Sequence, residues 1–276
     1  MLEVKSTIQI LSPRDNNPRR QVINKANYAQ IAETWEAGRP LYDRNLALCL
    51  DVISNRVGSR KPIMMLDLGC GTGRFAVPFA YRLGYSVTAI DNSKEMIEKA
   101  KQKDSESRVN WLERDVTNME FGKNSYDIIF MSHLLHHLDN PYNLIRQCYK
   151  IMKPQGILFN RYGALEHVSV DPEHKFFPEA LKIDELRTQT IKQIETWMRE
   201  AGFAGVQTET SLQASYNSGE DRLSRVRLKS TSVLTLISQQ SFEEGLKQFE
   251  KYVLAHTDDP WLINDKMTIT SGFKPE

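Results

Sequence analysis

Between Ile63 and Arg161 short apolar runs alternate with longer segments whose apolar residues recur at helical intervals, the signature of a parallel sheet joined by crossover helices. The pattern predicts strands at Ile63 to Leu68, Ser86 to Ile90, Arg108 to Glu113, Tyr126 to Met131 and Gly156 to Arg161. Helices fall between them. One spans Arg74 to Leu83 and stops at Gly84; another is capped by Ser93 and carries Met96, Ile97 and Ala100 on one face. Glu95 in its first turn and Lys101 and Lys103 in its last suit the helix dipole. A third covers about Tyr142 to Met152, and the tight turn Lys153-Pro154-Gln155-Gly156 feeds the fifth strand. Ile191, Ile194, Met198 and Ala201 share a helical face that ends at Gly202, with a sixth strand at Val206 to Glu209 and a seventh at Met267 to Phe273.

The flanks read differently. Residues 1–20 mix prolines, asparagines and charges without periodicity, the composition of a weakly ordered terminus. Residues 21–60 predict a helical cap, with Tyr28, Ile31 and Trp35 at helical spacing before Gly38 and Pro40, and a second helix over Arg44 to Val57. The stretch between the last two strands, 211–261, is too long for a plain loop. Ser241-Phe242-Glu243-Glu244 has capping-box spacing ahead of Leu246, Phe249 and Val253, so this stretch is expected to be a helical lid. The expectation is therefore an α/β, Rossmann-like seven-stranded sheet, mostly parallel with the last strand antiparallel, built from 61–210 and 262–276.

Composition narrows the classes. The 276 residues are 40% hydrophobic and 26% charged with a net charge of +1, which suits one globular α/β unit and supplies no basic field for a nucleic acid. No apolar run is long enough to span a bilayer and no basic-then-apolar leader opens the chain, so a cytoplasmic protein without membrane contact is expected. Cys49, Cys70 and Cys148 are widely spaced, which points to neither disulfides nor a zinc site.

Ligands of such sheets bind at the carboxyl ends of the strands. There the first strand runs into Leu66-Asp67-Leu68-Gly69-Cys70-Gly71-Thr72-Gly73, and the second ends at Asp91. Glycines allow a ligand close to the backbone. The G-x-G-x-G spacing differs from the dinucleotide pattern, and no Lys-Ser/Thr follows as in a phosphate loop. A carboxylate at Asp67 repels a pyrophosphate and accepts an ammonium, while Asp91 can accept both hydroxyls of a ribose. The ligand expected from these residues is a nucleoside carrying a zwitterionic tail.

At these residues the chain resembles the class I S-adenosylmethionine methyltransferases, in particular the small-molecule branch that includes ubiquinone- and menaquinone-type and natural-product tailoring enzymes. The resemblance spans about Tyr28 to Gly205 and rests on LDLGCGTG (66–73), VTAIDNSKEMIEKAK (87–101), ERDVTNMEF (113–121), YDIIFMSHLLHHL (126–138) and KPQG (153–156). It implies S-adenosylmethionine as cofactor. Gly69, Cys70 and Gly71 would line the methionine moiety, Gly73 would belong to the same cofactor-binding turn, and Asp67 would orient the ammonium. Asp91 would hold the ribose, with Asn92 and Met96 beside the adenine. Asp115 would accept from the adenine amino group, Val116 would donate its N–H to the ring, and Ser132 would lie near the sulfonium. Tyr28 and Arg39 would close over the cofactor. Met96 also suits plain core packing, and Asp115 a turn.

Methyl transfer needs alignment first, and a base only where the acceptor must lose a proton. His133, His136 and His137 follow the fourth strand and are the candidate bases. Glu166, His167, Asp171 and His174 fit no compact metal pattern, so no metal is expected and a substrate-facing loop is the reading. Arg222, Arg225, Arg227 and Lys229 read as a solvated helix face or as a site for an acidic group on the acceptor. The function expected is O- or C-methylation of a small molecule in a biosynthetic or tailoring pathway. A methyltransferase of RNA or protein, and a cofactor-binding regulator without turnover, are the alternatives; the residues leave the oligomeric state open.

Overall fold

The structure is a computed structural model that describes residues 41–118 and 120–276. The 1–20 terminus, the helix expected from residue 27, Tyr28 and Arg39 lie outside the described residues. The strands are β1 (Met64–Leu68), β2 (Ser86–Asp91), β3 (Val109–Glu113), β4 (Tyr126–Ser132), β5 (Met152–Tyr162), β6 (Ala204–Ala214) and β7 (Asn264–Phe273). They form one sheet in the order β3-β2-β1-β4-β5-β7-β6. β1 to β5 are parallel, and β7 inserts antiparallel between β5 and β6. The seven-stranded, mostly parallel sheet is the one the sequence predicts. Its strand order reverses direction between β1 and β4, which opens a crevice at their carboxyl ends.

Helices cover both faces. On one side α1 (Asp43–Val57) and α2 (Ala76–Arg82) bring Cys49, Ile53 and Phe79 against Met65, Phe130 and Phe159. On the other, α4 (Pro141–Ile151) and α7 (Ile191–Ala201) pack Leu144, Cys148, Ile194 and Met198 on Leu66, Ile129 and Leu158. α3 (Lys94–Lys103) lies between β2 and β3 in the chain, with the expected Ser93 cap accepting from Met96 N at 3.3 Å. Because β1, β2 and β4 are covered on both faces, their apolar runs are nearly continuous rather than alternating.

Two local expectations change. The Lys153 to Gly156 turn lies inside β5: Tyr126 pairs with Met152 but Ile128 pairs with Ile157, so the intervening residues bulge out of the ladder, with Gln155 at a φ of 60°. The helix α9 (Gln239–Ala255) opens at Ser238 rather than Ser241, since Ser238 Oγ accepts from Ser241 N at 3.2 Å while the Glu179 carboxylate receives Ser238 N.

The sequence pattern also missed elements between β5 and β6. α5 (Leu165–Val168) forms where a loop was expected, and α6 (Pro178–Arg187) forms in a stretch the pattern left unassigned. α6 has almost no apolar stripe, so periodicity could not reveal it. It joins α8 (Gly219–Arg227) and α9 around a third core of Phe177, Leu223, Phe242, Phe249 and Leu262.

The arginine run is not a solvated face at its first two positions. Arg222 is 2% exposed; its Nε donates to Glu173 (2.8 Å), its Nη2 to Asp171 (3.2 Å) and its Nη1 to Trp261 O (2.9 Å) and Asp265 (3.4 Å). The guanidinium also faces the rings of Tyr216 and Trp261. Arg225 is buried on Asp221, Ser215 O and the Tyr42 hydroxyl. Arg227 stays on the surface with Glu250 and Glu220, and Lys229 meets Gln239. Two of the four cations are thus spent on tying α8 to the post-β5 segment, to β7 and to Tyr42.

The glycines of the turn after β1 do different work. Gly73 has φ 73°, and a Cβ there would lie 2.6 Å from Trp111 Cη2, whereas a Cβ on Gly71, at φ 54°, would meet nothing within 4 Å. Gly73→Ala should therefore cost about 2–4 kcal/mol of stability, from backbone strain plus overpacking. Gly71→Ala should cost about 1–2 kcal/mol. Denaturant unfolding of both variants measures the difference, and equal losses would contradict this assignment.

Candidate active site

The crevice between β1 and β4 opens into a cavity of about 520 Å³. Asp67, Gly69, Cys70, Gly71, Asp91, Asn92, Met96, Asp115, Val116, Ser132 and His137 all line it. With His133, which lines it too, twelve residues singled out from the sequence thus meet at one place. Gly73 does not line the cavity; it packs on Trp111 and Ala100, as the close approach described above requires.

β1 sets Asp67 on the sheet face that carries Met65, at the level of Phe130 on β4. It is 2% exposed, and among the described residues its Oδ2 has no hydrogen-bond partner. Burial, with the nearby Asp91 adding repulsion, pushes its carboxyl up to about 8. A buried acid in this state lacks a cation.

Asp91 is better served. Its Oδ2 accepts from Gly71 N at 2.8 Å and its Oδ1 from Ser93 N at 2.9 Å. Burial still raises its carboxyl, against the pull of those N–H groups. Each oxygen keeps a further lone pair for a hydroxyl donor. The bond from Gly71 explains part of the turn: it fixes the loop after β1 against the end of β2, with Cys70 N donating to Ile90 O at 3.0 Å.

Around this pair the other wall residues take defined places. Met96 is buried and lines the cavity as well, so packing and lining are one role. Asp115 is exposed and its Oδ1 accepts from Thr117 N and Oγ1, both at 2.7 Å, a turn that presents Val116 to the cavity. Asn140, Asn143 and Gln147 on α4 also line it and had no signal in the sequence beyond the Asn140-Pro141 helix start, where Asn140 Oδ1 accepts from Asn143 N.

Beyond β4 lies a second cavity of about 460 Å³. Its wall combines the post-β5 segment (His167, Val170, His174), β6 and β7 (Leu212, Met267) and the insertion between them (Tyr216, Arg222, Trp261). The three candidate bases divide between the cavities: His137 lines the first, His136 the second and His133 both, the one residue common to the two walls among the described residues. His133 holds a φ of 54°, rare for a residue with a side chain, and its N donates to Arg161 O at 2.8 Å. The His136 ring lies 6.3 Å from that of His133 and 3.9 Å from that of His137.

His174, by contrast, is occupied within the wall: Nδ1 meets Val168 O at 2.8 Å and Nε2 meets Asp184 at 3.3 Å. Burial and the Lys266 charge hold the His167 ring below its ordinary range, so it is neutral near pH 7. Among the described residues no group of three or more His, Cys, Asp or Glu side chains is arranged to hold a metal ion.

Comparison with known proteins places this geometry. Residues 66–160 match the family described as Methyltransferase domain. The ubiquinone biosynthesis O-methyltransferase of Caulobacter vibrioides is 34% identical over 100 residues, 35% of this chain and 39% of that protein. Malonyl-[acyl-carrier protein] O-methyltransferase 1 of Ilyobacter polytropus is 30% identical over 179 residues, 59% of this chain and 66% of that protein. The chain thus spans between 39% and 66% of the length of these two relatives. Among solved structures, phosphoethanolamine N-methyltransferase 2 of Haemonchus contortus, in complex with phosphomonomethylethanolamine and S-adenosylhomocysteine, superposes with a TM-score of 0.63 at 21% identity, over 97% of this chain and 61% of that one. The match covers β1 through most of β5, the segment that carries Asp67, the glycine turn and Asp91, so residues 66–160 carry a methyltransferase domain, and the superposition shows the fold that goes with it.

Proposed function

We propose that this chain methylates a small molecule with S-adenosylmethionine, with the donor in the 520 Å³ cavity and the acceptor in the 460 Å³ cavity. The observation that carries the reading is Asp67: a buried carboxylate without a cation, beside a backbone turn open at Gly71. The α-ammonium of the donor's methionine end supplies that cation. The hydroxyls of its ribose suit the remaining lone pairs of Asp91, and Met96, Asp115 and Val116 supply the walls and polar atoms for an adenine. Gly69 and Cys70 back the methionine chain, and Ser132 closes the wall towards β4. Bound there, the donor supplies an electrophilic methyl group on a sulfonium.

The chain's own contribution is alignment and proton management. Two adjoining cavities with a shared wall hold donor and acceptor in fixed relation, which is where most of the acceleration of a displacement originates. His133 stands on that shared wall and receives the proton of a hydroxyl acceptor on its ring; His136 beside it orients the acceptor. His137 faces the donor side and is a wall residue. The helical insertion 215–263 acts as the lid: Arg222 locks it to Asp171, Glu173 and Asp265 and so shapes the acceptor cavity. Both cavities have the size range of small-ligand sites, which supports a small acceptor over RNA or protein.

Asp67 makes the donor step sensitive to pH. Its carboxyl, protonated below about 8 in the ligand-free protein, must ionise to receive an ammonium. Titration calorimetry of S-adenosylhomocysteine at pH 7 in buffers of differing ionisation enthalpy should show release of about one proton, and affinity should weaken about tenfold per unit as pH falls from 8 to 6. Asp67→Asn should lose at least about tenfold in affinity while becoming more stable than the parent by about 1–3 kcal/mol. That gain follows from the sign of the shift: a carboxyl raised from 3.8 to about 8 on folding opposes folding increasingly as pH climbs between those values. No proton release, with unchanged affinity in D67N, would remove the assignment.

The histidines separate by readout. His133→Ala should lower kcat about 100-fold or more with a hydroxyl acceptor, leaving S-adenosylhomocysteine affinity within about twofold. His137→Ala should show the reverse, a donor-affinity loss with a smaller change in kcat. Assay of S-adenosylhomocysteine formation against hydroxylated, carboxylated and amino acceptors tests both; equal kcat losses in H133A and H137A would break the division.

A further inference from the structure

Arg161, near the end of β5, is 5% exposed, yet among the described residues no carboxylate pairs with it. Its Nη1 donates to Ser132 Oγ (3.2 Å) and its Nη2 to Gln213 Oε1 (3.1 Å), both neutral, and its Nε has no hydrogen-bond partner. The guanidinium faces the Phe75 ring at 5.2 Å. A cation removed from water, with one donor unused, is costly to keep in a ligand-free protein unless an anion arrives.

Its place says which cavity system it serves. Arg161 stands opposite Ser132 in the β4–β5 register, and Phe159 and Phe130, two residues earlier on each strand, pack on the α1 face that also carries Asp67. Ser132 and Phe75, its hydrogen-bond and ring partners, line the donor cavity, whereas Arg161 and Gln213 themselves line neither cavity. The guanidinium therefore sits behind the Ser132 and Phe75 wall of the donor cavity. The chain buries one anion and one cation on the same face of its sheet, at Asp67 and Arg161, and pairs neither with the other. Arg222 gives the contrast: equally buried, it is ringed by Asp171, Glu173 and Asp265 and has nothing left for a ligand.

From this we infer that Arg161 is a carboxylate subsite behind the Ser132 and Phe75 wall of the donor cavity, binding the carboxylate of a bound small molecule through its planar fork. The carboxylate belongs either to the amino-acid end of the donor, whose ammonium Asp67 takes, or to a carboxylated acceptor. The donor source rests on the function proposed above; the acceptor source does not. An acidic group on the acceptor, assigned from sequence to the arginines of α8, is thus relocated to β5.

Arg161→Gln removes the charge and leaves a shorter, polar side chain, and Arg161→Lys keeps the charge and serves if R161Q does not fold by circular dichroism. Both are titrated calorimetrically with S-adenosylhomocysteine and with its decarboxylated counterpart, and melted in increasing glycine and acetate at constant ionic strength. If the donor's carboxylate is the ligand, R161Q loses at least about tenfold in affinity for S-adenosylhomocysteine, and the decarboxylated compound binds R161Q and the parent alike. If the acceptor's is, S-adenosylhomocysteine binding is unchanged, and the rise in Tm that glycine or acetate gives the parent is absent in R161Q. In R161K either effect is partial. Unchanged S-adenosylhomocysteine affinity together with an unchanged response to both carboxylates overturns the proposal. A parent protein that binds no S-adenosylhomocysteine would instead defeat the proposed function, and the melts alone would then decide Arg161.

Discussion

The carboxylate of Asp67, at the end of the central strand and out of reach of water, is the constraint around which this site is arranged. β1 lies between β2 and β4, packed on both faces, so Asp67 cannot swing out to solvent. Among the described residues its Oδ2 has no hydrogen-bond partner. Asp91 stands near enough to raise it further. The protein tolerates this because the glycine turn places backbone, and not side chains, on the other side of the space: Gly71 points open room at the cavity while its N–H steadies Asp91. A buried acid with no partner opposes folding, and one that meets an ammonium favours binding, so the site stores in the ligand-free fold part of the free energy that holds the donor.

The second cavity depends on a different device. Its walls come from segments far apart in the chain, the post-β5 turns, the ends of β6 and β7 and the insertion between them. Arg222 joins the post-β5 turns, β7 and the insertion through three carboxylates and two aromatic faces. Burial and the crowding of Asp171 and Asp265 raise the Glu173 carboxyl, against the pull of Arg222. The α6, α8 and α9 helices share a core of their own behind this wall. Under the proposed function the sheet sets the donor and this wall the acceptor.

Much of this was legible in the sequence because a parallel sheet writes itself twice, in buried runs and in the residues that end them. Asp67 and Asp91 could be singled out since a strand-terminal acid next to a glycine turn has few structural excuses, and the structure sets both at one cavity. Gly73 misled because glycines in a row look alike, whereas its contact, Trp111, comes from β3, almost forty residues on. α6 escaped because its buried residues, Asp184 and Arg187 among them, are polar and satisfied by each other, which leaves no apolar stripe to read. Arg222 read as surface for the same reason: charge on a helix predicts solvent unless its partners can be seen, and Glu173 is 49 residues away. Arg161 carried no signal at all, since an arginine ending an apolar run says nothing of whether an acid awaits it.

The ionisation of Asp67 itself is the most direct test. Carbon-13 NMR of the protein with labelled aspartate carboxyls, assigned by comparison with D67N, should show one carboxyl titrating at about 8 without ligand. Saturation with S-adenosylhomocysteine should bring it below about 5, the ordinary carboxylate range or lower. A carboxyl that titrates near 4 in the ligand-free protein, or one near 8 that the ligand leaves in place, would contradict the account.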